Sequence, residues 1–197
     1  MMETLSLPAA ILVFITGTII LVSWDWRISI GSLAVQYVGV FFLVALSWPL
    51  ELAAVKLIAG WMASAGLALA MRNTSAGISA SDRLLISDIL FRVIAAILTG
   101  LFAITGGSKI IELFPEISRE QGYGAIVLIV LGLIHLGLTL KSSRVVIGLL
   151  TVLSGFGILY AAVESSILIA GLLAVITMSL SIVGAYLLNA TTLEDTG

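Results

Sequence analysis

Apolar residues run along this chain in long blocks, broken by short polar stretches. A helix needs about 20 apolar residues to cross the hydrocarbon core of a bilayer. On that rule the pattern predicts seven crossings, near residues 7–24, 29–47, 50–71, 88–106, 123–140, 144–163 and 166–189. The breaks make chemical sense. "WDWR" separates the first two, with two tryptophans suited to a membrane interface. Pro49 in "SWPLE" stops one helix and can open the next. "MRNTSAGISASDR" reads as a polar loop and "ESS" as a tight turn. "GGSKIIELFPEISREQGYG" is the longest connection, and within it Ile110, Ile111, Leu113 and Phe114 predict a short interfacial helix. The tail "NATTLEDTG" is polar and is expected to fray. The predicted fold is an all-α integral membrane protein, a single membrane domain over 1–197.

The charges sort by side. With seven crossings, one face receives Arg27, then Arg72, Arg83 and Arg92, then Lys141 and Arg144. The other receives Lys109 and Arg119 together with Glu3, Glu51, Glu112, Glu116, Glu120 and Glu164. The positive-inside rule makes the first face cytoplasmic. The expectation is a multi-pass protein of a prokaryotic-type inner membrane, N-terminus outside and C-terminus cytoplasmic.

The pattern also hints at an internal repeat. "AAILVFITGTIILVSWDWRISIGSLAVQYVGV" lies over "GAIVLIVLGLIHLGLTLKSSRVVIGLLTVLSG", with Gly17 on Gly132 and Ile30–Gly31 on Ile147–Gly148. Arg27 and Arg144 stand just ahead of those pairs. This predicts two three-helix units, 7–71 and 123–189, joined by a connector helix at 88–106. Three intervening crossings plus the connector give both units one orientation, a parallel repeat.

Composition narrows the chemistry. The chain is 60% hydrophobic and only 10% charged, against roughly a quarter charged in soluble domains. A net charge of −2 argues against a nucleic-acid partner. With no cysteine and one histidine, it offers no iron–sulfur, thiolate-haem or bis-histidine haem site. No cofactor is expected, and redox chemistry, if present, belongs to a partner.

Ionisable groups inside a membrane are costly and often functional. Lys56 lies about two turns inside the third helix. A lysine desolvated there can act as a proton carrier, whereas a snorkelling one only reaches the interface. Glu51 is five residues earlier, on another face near the same end. His135 stands about a turn and a half from the basic end of helix five, where a neutral imidazole can relay protons or hold a neighbouring helix. Asp88 and Arg92, four apart, can pair locally. Gln36, Tyr37, Thr177, Ser179 and Ser181 can hold waters or bond between helices, but do not titrate near neutral pH. Gly60 with Ser64, and Gly148 with Gly155, are small-residue pairs that let helices approach closely.

The basic turn Lys141–Arg144 followed by "VIGLL", behind a glycine-bearing helix, resembles the small K-type subunit of respiratory complex I and the C subunit of Mrp-type antiporters. Including "WRISIGSLAVQYVGV" and "AMRN", the whole chain resembles component E of hydrogenase-4. The resemblance implies a non-catalytic subunit in the membrane arm of an ion-translocating complex, beside large antiporter-like subunits. It also exposes a departure. Leu150 stands where the complex I subunit has its membrane glutamate, Leu153 where the hydrogenase subunit has one, and Leu33 at the equivalent N-terminal place. Leucine takes no proton. Two other readings stay open: a small stand-alone transporter, and a structural or assembly protein with no ion path.

Overall fold

Each apolar block folds into one helix. A computed structural model describes residues 2–74, 86–139 and 141–194. They form α1 (Met2–Val22), α2 (Trp26–Val44), α3 (Leu50–Thr74), α4 (Ile86–Leu113), α5 (Arg119–Gly137), α6 (Ser142–Val163) and α7 (Ile167–Glu194). All seven are long and apolar enough to cross a membrane, as befits a multi-pass membrane protein. No strand occurs among the described residues.

Most boundaries shift by two or three residues, and α1 starts five residues early, at Met2; the differences in α4, α5 and α7 have visible causes or consequences. The connector does not stop at 106: α4 continues through Leu113 and absorbs most of the predicted interfacial helix. Gly107 does not break it, because the Tyr123 ring of α5 packs on that glycine and covers the gap. The helix ends only ahead of Pro115, which cannot continue it. Helix α5 begins at Arg119 rather than 123, on a capping box. Ser118 accepts from the Gln121 N–H at 3.3 Å, and the Gln121 side chain accepts from the Ser118 N–H at 3.2 Å. It ends at Gly137, so His135 lies in its last turn. Helix α7 runs on to Glu194, so most of the supposedly frayed tail is helical. Arg83 and the last three residues lie outside the described residues.

Along the chain α4 separates three helices, α1–α3, from three others, α5–α7, and successive helices within each set pack on one another. Helix α1 packs on α5, α2 on α6 and α3 on α7. Helix α4 lies at the periphery against α5 and α1, with only 22% of its apolar window buried. The long apolar side chains that face outward from α4 and α7 suit a lipid solvent.

One packing detail recurs in the α1–α2 and α5–α6 pairs. Gly39 of α2 lies against Val13 and the Ala9 carbonyl of α1. Gly155 of α6 lies against Ile129 and the Ala125 carbonyl of α5. Each residue of the second set follows its counterpart by 116 positions. Trp48 and Glu164 are also 116 apart, and the Trp48 indole donates to the Glu164 carbonyl at 2.8 Å. This register pairs Gly31 with Ile147 and Gly17 with Leu133, one residue away from the sequence overlay in each helix. Similar apolar letters set the overlay, whereas close backbone approach sets the packing.

Candidate intramembrane polar file

Three residues of α3 spaced by four, Lys56, Gly60 and Ser64, share one face. All three are buried. The Lys56 side chain does not turn outward: its terminal carbon and ammonium lie against Gly157 of α6, where a methyl group would collide with them. Lys56 is 8% exposed, and no described residue hydrogen-bonds its ammonium. It sits six residues into α3, about 9 Å below the helix start. One turn further, Gly60 receives the ring of Tyr37 from α2. Ser64 donates to the Gly60 carbonyl at 2.8 Å, which spares the bundle an unpaired hydroxyl.

Helix α6 supplies the facing wall. Gly148, Thr151, Ser154 and Gly157 follow one another in steps of three. Each such step falls about 60° short of a full turn, so the line winds around the helix. It meets His135 of α5 at Gly148, Tyr37 of α2 at Ser154 and Lys56 of α3 at Gly157. Thr151 and Ser154 donate to the carbonyls of Ile147 and Leu150, at 2.9 and 2.8 Å. Their lone pairs remain for other donors. The Tyr37 hydroxyl is directed at Ser154 and the His135 ring at the Arg144 backbone, while both amide atoms of Gln36 are buried without a hydrogen-bond partner among the described residues. Such groups are rare in folded proteins and call for water or a functional explanation.

The two ends of this line carry its ionisable side chains. Gly148 and Gly157 are nine residues apart, so His135 and Lys56 are separated by roughly 13 Å along α6 and lie on opposite sides of it. Direct transfer is excluded at that distance, since proton transfer needs heavy atoms about 3 Å apart. Thr151, Ser154 and Tyr37 lie along the winding line between them.

The other predicted residues lie elsewhere. Glu51 is exposed in the first turn of α3 and does not join Lys56. Gly148 lies against Leu136 and His135, and Gly155 makes the closest backbone approach between α5 and α6. Thr177 is buried on its own Leu173 carbonyl, Ser181 donates across to Ala63 of α3 at 2.7 Å, and Ser179 is exposed. The Arg92 guanidinium turns to the Leu21 carbonyl of α1 at 2.6 Å, so its main anchor is α1 and not the predicted local pair with Asp88. Arg144 donates to the Ser23 carbonyl at 2.7 Å. Arg27 is exposed over the Trp26 ring, and Lys141 is exposed over Trp24.

Sequence reasoning missed Gly157 and Ser154. The only signal for Gly157 was its closeness to Gly155, and nothing in the sequence linked it to Lys56. No group of three or more metal-ligating side chains occurs among the described residues. Against known protein families, curated proteins and solved structures, the chain finds no match.

Proposed function

We propose that the chain is a membrane-arm subunit of a multi-subunit ion-translocating assembly, complex I-like, group 4 hydrogenase-like or Mrp antiporter-like. In this reading it carries part of a proton path and packs against larger antiporter-like subunits, while any redox chemistry resides in a partner. The observation that carries the reading is Lys56 held inward against Gly157. A lysine about 9 Å below a helix end could extend its stem to the interface at little cost. Keeping it inside the bundle is costly, and an inward ionisable group in a membrane is by default a functional one.

The reading also accommodates the missing glutamates. Leu150 and Leu33 are fully buried in an apolar cluster, so no acid replaces them locally. Lys56 takes their place as the titrating group, and the line of Tyr37, Ser154 and Thr151 leads from it toward His135. A lysine ammonium repels sodium, which favours protons as the cargo. The face with Arg27, Lys141 and Arg144 is then cytoplasmic by the positive-inside rule.

The test is Lys56→Leu in the intact assembly, with subunit content checked by co-purification. Pumping should fall by roughly 10²-fold, the low end of what a positioned proton-transfer group contributes. Normal pumping in a normally assembled complex would leave the chain a scaffold.

A further inference from the structure

Two apolar clusters are stacked along the axis of the bundle, and the level between them is polar. One cluster holds Val13, Leu43, Leu128 and Ile158, toward the end that carries Trp48. The other holds Ile20, Leu33, Leu67 and Leu150, toward the end that carries Arg144. Five helices each place a buried polar residue between the two: Thr16 on α1, Gln36 on α2, Lys56 on α3, Ser154 on α6 with Thr151 one turn away, and Thr177 on α7. Lys56, Gln36, Ser154 and Thr177 stand six, eight, nine and ten residues from the helix ends near Trp48, about 9–15 Å deep. Thr16 comes level with Gln36, because Gly39 of α2 lies beside Ala9 and Val13 and the two helices run antiparallel.

The donors and acceptors of this layer do not meet. Thr16, Thr151, Ser154 and Thr177 donate to carbonyls of their own helices at 2.8–2.9 Å and keep lone pairs. Gln36 is fully buried, and neither its amide nitrogen nor its oxygen has a partner among the described residues. The Lys56 ammonium likewise bonds to no described residue. Stranding such groups in an apolar interior costs stability. Spare donors thus lie on Gln36 and Lys56, and spare acceptors on the hydroxyls and on Gln36 Oε1. A metal cation would leave the donors unserved, and an anion the acceptors. Water both donates and accepts, and it is small enough to sit among packed helices.

We infer that the middle of the bundle binds a layer of ordered water, held by the Gln36 amide and reaching the Lys56 ammonium between two dry clusters. The layer lies across the bundle, whereas the polar file winds along α6, and Thr151 and Ser154 belong to both. Water returns hydrogen bonds to Lys56 but does not remove the cost of burying its charge. One consequence rests on the reading of Lys56 as a proton carrier: the layer is then the medium that takes its proton, and Gln36 is the positioning residue of that medium.

The test uses the full chain, isotope-labelled at nitrogen, in lipid bilayers. Solid-state NMR reads the transfer of magnetisation from water to individual nitrogens. Transfer should reach Gln36 Nε2 and Lys56 Nζ and should be absent at the backbone amide of Leu33, inside a dry cluster. Gln36→Leu should abolish the transfer to Lys56 Nζ. A wild-type Gln36 amide as dry as Leu33 would overturn the inference, whether or not the variant folds. So would undiminished transfer to Lys56 in Gln36→Leu, since its water would then come from the membrane surface. Pumping by the assembled complex is read separately. It should fall in Gln36→Leu, and an unchanged rate would overturn the positioning role alone. Normal pumping in Lys56→Leu would refute the proton reading, and the spectra would still decide the water layer.

Discussion

At the scale of single residues, the decisive pair is Lys56 and Gly157. Burying a long cationic side chain requires a place for its head. The missing side chain at 157 provides that place, and alanine there would collide with the ammonium. A buried polar group with no hydrogen-bonding residue costs stability, so Lys56 should be a weak point of the fold. Lys56→Met keeps the volume and removes the charge. It is expected to raise stability by about 1–2 kcal/mol, read as a higher midpoint of thermal unfolding in detergent. A lower midpoint would mean that the ammonium has a good partner. Lys56 was recognisable in the sequence as an ionic residue inside an apolar block. Its inward direction was not, since snorkelling and burial fit the same letters and only the opposing glycine decides between them.

At the scale of helices, the ends are specified more locally than the faces. The Ser118–Gln121 capping box starts α5 four residues before its apolar run, and Pro115 separates it from α4. Gln121 then does a second job. Its Nε2 donates to the Leu43 carbonyl and to the Ser47 hydroxyl, each at 2.8 Å, and so ties the start of α5 to the end of α2. Gln121→Met should therefore cost more than a cap alone. The expected loss is about 2–3 kcal/mol, from the broken cap and the stranded Leu43 carbonyl. Chemical or thermal unfolding of the variant checks this, and a loss below about 0.5 kcal/mol, the range of an ordinary surface substitution, would show that the tie is incidental. Helix α4 teaches the opposite lesson. Its two adjacent glycines and its polar residues suggested a break, but the chain continues because the Tyr123 ring covers Gly107.

At the scale of the whole molecule, the α1–α2 and α5–α6 contacts share a 116-residue register, yet the chemistry does not repeat. The position 116 residues after Lys56 is Leu172, and the one after Tyr37 is Leu153. His135 and Arg144 likewise answer to Ile19 and Ile28. The polar file therefore draws Tyr37 and Lys56 from α2 and α3 and His135, Thr151 and Ser154 from α5 and α6, and exists only where those helices meet. The alternating helices also collect Arg27, Arg72, Arg92, Lys141 and Arg144, with Asp25 and Asp88, at one end and Glu51, Glu112, Glu116, Glu120 and Glu164, with Lys109 and Arg119, at the other. The chain has no native cysteine, so single cysteines report sidedness cleanly. A membrane-impermeant thiol reagent applied to intact cells should label Glu116→Cys and spare Lys141→Cys, with the pattern inverted in inside-out vesicles. Labelling of both from outside would refute the seven-crossing topology.

Seven helices, their order, their alternating direction and the separation of charge were legible in the sequence. They follow from short-range facts: how many apolar residues span a bilayer, which residues cap or break a helix, and which loops carry arginine. The polar file and the apolar groove between α4 and α5 were not legible. They arise where side chains from different helices face one another, and that depends on the rotation and register of each helix in the bundle. A uniformly apolar helix carries little information about its own rotation. Close backbone approaches set that rotation instead, at Gly39 on α1, Gly155 on α5 and Gly157 on Lys56, and each requires both partners to be in place.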